Sequence, residues 1–343
     1  MAHSSRSLKA QLLRHEVLLL LVLALEVAYF LKFGRNFGTP DNLSNILRHS
    51  AEIGLLALAM MPVILTGGID LSVGSLMGLC AVLFGVLTHD WHMGSLAAAL
   101  ITVAAGLVAG AFNASLITLL RLPPLIVTLG TYSLFRGLAE AVTKGTKTYR
   151  SFEPAFLQLG EFRPAGLPLQ AWILGLGALG FYVLVHRTTF GRSFRAIGFS
   201  PEGARYAGLP VLWRTALPYL LAGGVAAVAA LLFTARLRQA RADAGTGYEL
   251  AAITAVVLGG TSIFGGTGTV YGTAAGIAAI AVLNNGIGRI PAVLKAGIGG
   301  ELASLLTGAL LLIALAAPGL SRLLQSVRRP NAAPAPPRPC PSP

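Results

Sequence analysis

This sequence has too little charge for a water-soluble domain. Only 11% of its 343 residues are Asp, Glu, Lys or Arg, against about 25% in soluble globular chains. Such a chain cannot cover a water-facing surface. It has two cysteines, Cys80 inside an apolar run and Cys340 near the C-terminus, which excludes a disulfide framework and a cysteine-type metal site. No Gly-Lys dipeptide occurs, so there is no Walker A loop and ATP is not hydrolysed by that route. His-Glu-x-x-His and Gly-x-Ser-x-Gly are absent as well, which leaves no motif for catalysis by this chain alone. The first apolar run, Val17 to Leu31, lacks a small-residue cleavage site and leads into further runs. It is expected to remain as a span, not to leave as a signal peptide.

What is abundant is apolar: 55% hydrophobic residues and a mean hydropathy of +0.72. Repeated runs of near-spanning length predict a polytopic, all-α membrane bundle of about ten transmembrane helices. These fall at about 17–33, 50–66, 71–88, 95–116, 124–143, 169–186, 214–235, 249–262, 268–287 and 297–317. Residues 1–16 form a short N-terminal segment, 17–319 the permeation domain with a long loop at 187–213, and 320–343 a proline-rich tail expected to be disordered. The net charge of +13 does not imply nucleic-acid binding, because the basic residues are scattered and not interleaved with stacking aromatics. Lys and Arg divide almost equally between the two membrane sides, so the positive-inside rule is nearly silent. Gly175-x-Gly177-x-x-Gly180 lies within an apolar span. It lacks the strand–turn–helix setting that gives a dinucleotide fingerprint its meaning.

Two glycine-rich joints interrupt the apolar runs. The first, Thr66-Gly67-Gly68-Ile69-Asp70-Leu71-Ser72-Val73-Gly74-Ser75, carries a carboxylate, which is costly against lipid and is kept there for a purpose. The second runs from Leu258 to Gly268. Irregular backbone at membrane depth survives only inside protein or beside water, and broken spans in both halves of a chain point to a transport pathway. Two roles fit Asp70: contact with a passing solute or gate, and capping of the next helix, the preferred role, since Asp is a favoured cap and Ser72 follows closely. Asn113, Thr128, Thr131, Tyr132, Asn284 and Asn285 are polar positions within spans. With Gly68, Asp70, Ser72, Gly74 and Ser75 they are the pathway or gate candidates, interhelical hydrogen bonding being the alternative. Arg136 and Glu140, spaced i and i+4, are expected to pair. Glu26 and Glu301 are expected on bundle-facing surfaces. The pairs Gly106/Gly110 and Gly272/Gly276 have the spacing of close helix crossings.

In the 187–213 loop, Ser200 suits an N-cap, Pro201 the first helical position and Glu202 the first turn, with Gly208 and Pro210 as a stop. This predicts a helix of about two turns over Pro201, Glu202, Gly203, Ala204, Arg205, Tyr206, Ala207 and Gly208. So short a helix is unstable alone in water and must dock. The residues alone leave open a lipid-anchored loop and a coupling helix seated on a partner ATPase.

Four ordered blocks resemble the ribose-type sugar permeases, membrane subunits of ABC importers. They are Gly67–Ser75, Leu122–Thr131 (LPPLIVTLGT), the loop elements Phe190-Gly191-Arg192, Ala196-x-Gly198 and Ala204-Arg205-x-x-Gly208, and Gly247–Ser262. The resemblance spans about residues 40–316, and the blocks look most like those of permeases for ribose, rhamnose and autoinducer-2. It implies a type II importer in the bacterial inner membrane, with both termini of the chain in the cytoplasm. Two permease subunits, copies or paralogues, face each other. An ATPase subunit using ATP and Mg lies under each, and a periplasmic sugar-binding protein sits above. This chain itself would hold no cofactor. The resemblance makes 201–208 the coupling helix and the outer segments bearing Glu153, Glu161, Asp243 and Glu249 the docking surface for the binding protein. The alternative is a stand-alone secondary transporter driven by ion gradients, which would need no docking helix.

Overall fold

In hydrocarbon a chain must satisfy its backbone donors and acceptors internally, and a helix does so within one segment. The computed structural model of this chain is accordingly an all-α bundle. It describes the backbone of residues 3–327 and the side chains of residues 17–316. The helices are α1 (His3–Phe33), α2 (Pro40–Leu65), α3 (Val73–His89), α4 (Ser95–Thr118), α5 (Pro124–Thr143), α6 (Pro154–Glu161), α7 (Leu169–Tyr182), α8 (Thr189–Phe199), α9 (Pro201–Tyr206), α10 (Val211–Leu237), α11 (Tyr248–Leu258), α12 (Val270–Ile287), α13 (Pro291–Ala296) and α14 (Gly299–Val327). A π-helical turn, Val183–Arg187, extends α7. Two short strands, β1 (Tyr149–Arg150) and β2 (Gln239–Ala240), pair antiparallel and tie two loops at one end of the bundle.

Each of the ten expected spans coincides with a helix. Among the described residues, however, seven helices, not ten, are long and apolar enough to cross a membrane. The expected spans outside that set are α1, α3 and α11: α3 has 17 residues and α11 only 11, because the glycine joints take chain that would otherwise complete a helical span, while the apolar stretch of α1 is short and holds Glu26 and Lys32. Helix α1 starts at His3, well before the apolar run. Helix α14 continues to Val327, and the rest of the expected tail, 328–343, lies outside the described residues.

Helix α2 is the axis of the bundle. Its residues Leu55–Leu65 are all buried, walled by α7, α10, α11 and α12. Helix α10 packs on α4 where Gly106 and Gly110 face Gly223 and the Tyr219 carbonyl; a Cβ on Gly106 would come 2.5 Å from the Gly223 oxygen. Gly272 and Gly276 likewise lie against Gly259 and Ala255. Both glycine pairs thus sit at close helix crossings. On the outside, Leu96, Leu100 and Val108 of α4, Ile126 and Leu129 of α5, Leu176 and Leu179 of α7 and Leu312 and Ile313 of α14 are exposed. An apolar surface of that extent belongs against lipid or another membrane subunit.

One ion pair holds the centre. Arg236, near the end of α10, forks onto Glu52 of α2, Nε to Oε1 at 2.7 Å and Nη2 to Oε2 at 2.8 Å. Glu52 is 0% exposed and Arg236 9%, and Tyr248 of α11 hydrogen-bonds the same carboxylate. Removing one partner of a buried pair strands the other charge and costs about 3–5 kcal/mol, whereas apolar replacement of both is often neutral. Glu52→Ala is therefore expected to lower the thermal unfolding temperature in detergent strongly, and Glu52→Leu with Arg236→Leu to regain most of it. Equal stability of the single variant and the parent would contradict the role of the pair.

Candidate functional site

At the C-terminus of α2 the chain breaks. Gly67 takes φ +86°, with its amide on the Ile64 carbonyl (2.8 Å) and the Gly68 amide on that of Val63 (3.1 Å). Gly68 then packs so closely on the Tyr219 hydroxyl that a Cβ would overlap it. Asp70 follows, 2% exposed. Its Oδ1 accepts from the Ser72 amide (2.8 Å) and the Ser72 hydroxyl (2.6 Å). Ser72 itself occupies the N-cap position of α3. Asp70 is thus two residues short of the expected cap, and it acts on the cap residue instead. Asn113 of α4 donates Nδ2 to the Ser72 hydroxyl (2.8 Å), Thr128 of α5 donates to the Ile69 carbonyl (3.1 Å), and Ser75 donates to the Ser72 carbonyl (2.9 Å). Thr131 bonds back to Val127 of its own helix (3.1 Å). A Cβ on Gly74 would overlap the Glu249 carboxylate.

The structure therefore divides the pathway candidates. Gly68, Asp70, Ser72, Gly74, Ser75, Asn113, Thr128 and Thr131 form a packed, buried polar knot around the first joint. Tyr132 is half-buried on α5. Asn284 and Asn285 lie elsewhere, lining a cavity of about 590 Å³ between α2, α11, α12 and α14. His49, Ser50, Tyr248, Ser304 and Thr307 line it too, and Asn42 holds the Asn285 oxygen at 2.9 Å.

The second joint folds onto the first. Gly265 and Gly266 take φ +86° and +81°, and the Gly266 amide donates to the Leu65 carbonyl at 3.0 Å. The long loop reaches the same place through α8, whose Arg195 donates to the Val185 carbonyl (3.2 Å) and the Gly268 carbonyl (3.4 Å). Helix α9 follows with the expected local features. The Ser200 hydroxyl accepts from the Gly203 amide (3.0 Å), Pro201 takes the first turn, and Gly208 turns out of the helix at φ +78°. Ala204 is buried, and Tyr206 is 92% exposed.

At the opposite end, the expected docking acids are each engaged. Glu153 accepts from the Ser95 hydroxyl (2.5 Å) at the start of α4, which holds its carboxyl below the ordinary range. Glu161 pairs with Arg238 and Asp243 with Arg241 (2.8 Å), and all three acids remain exposed. Glu249 does not join them: it is buried, with Oε1 on the Gly247 amide at 3.2 Å. Nearby, Lys147 and Tyr149 both bond Asp90 (2.8 Å each) and hold its carboxyl low. The expected Arg136–Glu140 pair does not form. Arg136 turns inward to the carbonyls of Ala242 and Ala244, which lack helical partners, while Glu140 faces outward. Glu26 is half-buried, and Glu301 is exposed, not bundle-facing.

Sequence reasoning passed over Glu52, Arg236, Tyr219 and Phe264. Glu52 carried a usable signal as an acid at the head of a long apolar run. Its partner, 184 residues away, did not.

Set against known proteins, the profile of the family described as branched-chain amino acid transport system / permease component matches residues 42–315. The chain belongs to this family of membrane permease subunits. Among its relatives, the protein named autoinducer 2 import system permease protein LsrD of Photorhabdus laumondii is 38% identical over 78% of this chain and 80% of its own length. The protein of the same name in Klebsiella pneumoniae is 36% identical over 90% and 93%, and that of Yersinia pseudotuberculosis 36% over 87% and 90%.

The knot itself yields a prediction. An Asn oxygen can accept the two Ser72 hydrogen bonds much as a carboxylate does. Asp70→Asn is therefore expected to keep most transport per correctly inserted protein, while Asp70→Leu, which leaves the buried Ser72 amide and hydroxyl donors without their acceptor, loses both folded yield and uptake. A well-inserted Asn variant with background uptake would place the charge of Asp70 in gating itself.

Proposed function

We propose that this chain is the translocation subunit of an ATP-driven importer for a small sugar-like molecule of the ribose, rhamnose or autoinducer-2 type. The observation that carries the reading is α9. A two-turn helix, capped at its start and stopped by a left-handed glycine, presents Tyr206 to solvent at the end where both glycine joints meet. Such a helix has no stability of its own and suits a groove on another protein. That protein is an ATPase subunit, using ATP and Mg, that supplies the hydrolysis this chain lacks. A second permease, copy or paralogue, completes the pathway in the inner membrane. A periplasmic binding protein docks at the opposite end near Glu153, Glu161 and Asp243. The relatives' printed name supports a small sugar-like cargo of the autoinducer-2 type, and Ser50, Asn284, Asn285, Ser304 and Thr307, set in a largely apolar cavity wall that also carries His49 and Arg289, offer hydrogen bonds to its hydroxyls.

Two experiments test this. Reconstituted alone in liposomes, the chain is expected to accumulate no sugar under any ion gradient; gradient-driven uptake would overturn the ATP-driven reading. Gly203→Pro removes the amide that bonds Ser200 and disrupts α9. With Arg205→Glu/Tyr206→Ala as a second variant, it is expected to leave insertion normal and ATPase co-purification and uptake severely reduced. Unchanged co-purification and uptake in both would remove α9 as the coupling site.

A further inference from the structure

Three glycine-bearing segments meet at one point beneath α2. A Cβ on Gly198, in α8, would overlap the Leu65 carbonyl oxygen and the Gly266 amide. One on Gly265 would come 3.0 Å from the Cα atoms of both Gly67 and Gly198. One on Gly266 would come 3.0 Å from the Phe199 ring. The spacing leaves backbone directly on backbone, so a shift of one segment has no side chains to absorb it. The Gly266–Leu65 hydrogen bond, 3.0 Å long, joins the second joint to the first at the residue that starts the turn toward Asp70.

Outward from this junction the loop projects an aromatic ring. Phe264 is 87% exposed and Phe199 70%, on the same end as Tyr206. Lipid does not account for Phe264. Its loop is irregular backbone, with the Ser262 amide on the Thr267 carbonyl at 2.9 Å and the Phe264 amide on the Ser262 hydroxyl at 3.3 Å. Irregular backbone of that kind is not left against hydrocarbon. A large aromatic held out by a polar loop is the type of residue that anchors protein contacts, and this one is continuous with the α9 surface.

We infer that the 259–268 loop is a second seat for the ATPase subunit, anchored by Phe264 with Phe199, and that this seat bears on the Asp70 joint through the Gly266–Leu65 contact. The inference rests on the reading of α9 as the first seat. It means that the partner grips both the coupling helix and the loop that touches the broken end of α2.

The test uses the assembled importer in its native membrane. A photo-reactive benzoylphenylalanine replaces, in separate chains, Phe264, Tyr206 or Trp91, the last exposed at the opposite end. Cross-linking to the ATPase is expected from positions 264 and 206 and not from 91. A product from 206 without one from 264, or a 264 product with lipid or a second permease copy, overturns this inference and leaves α9 standing. No ATPase product from either position overturns both readings. Because Phe264 is exposed, Phe264→Ala is expected to insert normally yet weaken ATPase association about tenfold, the scale of an aromatic anchor. Unchanged association would also overturn it.

Discussion

Everything in this fold depends on one constraint: backbone inside a membrane must find its hydrogen bonds within the protein. The chain interrupts its helices twice, at 66–72 and 259–269, and the rest of the bundle is arranged to repair the breaks. Asn113 of α4 and Thr128 of α5 reach in to serve the first break, and Asp70 and Ser72 bond each other within it. The carbonyl of Leu65 and the amide of Gly266, left over from the two breaks, satisfy each other. Arg136 and Arg195 do comparable work, directing guanidinium donors to loop carbonyls and not to acids. The side chains first suspected of touching cargo here therefore bond the joint or their own helix, and Gly68 and Gly74 serve as points of close approach.

The polar knot and the cavity differ in character. The knot is buried and closely packed, which suits a position that must seal or transmit force. The cavity around Asn284, Asn285 and Ser304 is open, with a few hydroxyl and amide groups, His49 and the Arg289 cation set among apolar side chains and glycines. Between them the Glu52–Arg236–Tyr248 cluster pins α2, α10 and α11 together. Movement at the α9 end would then reach the cavity through whole helices held at that pin.

Much of this was legible in the sequence, for reasons that differ by element. The start of helix α9 was readable because its signals are local: Ser200, Pro201 and Glu202 act within one turn; the helix ends at Tyr206, two residues before the expected Gly208. The two joints were readable because a glycine cluster between apolar runs weakens the helix at that point and nowhere else. The partners were not. Arg136 fits an i, i+4 pair with Glu140 on helix spacing, but the unpaired carbonyls of Ala242 and Ala244 offered a stronger claim that no local pattern shows. Glu249 looked like a surface acid beside Asp243, yet the close approach of Gly74 buries it. Hydropathy and helix length part company in the same way at α3 and α11, where hydropathy continues through a joint that the helical backbone does not cross.

The contacts among Leu65, Gly198, Gly265 and Gly266 tie the two joints and the α8–α9 segment into one mechanical unit. Amide hydrogen exchange in the permease assembled with the proposed ATPase subunit, with and without ATP, tests it most directly, because exchange reports local opening segment by segment. Nucleotide is expected to change protection at 65–72 and 259–268 together and in the same direction, while the buried stretch of α2 from Leu55 to Val63 stays unchanged. A change at 259–268 with none at 65–72 would contradict it.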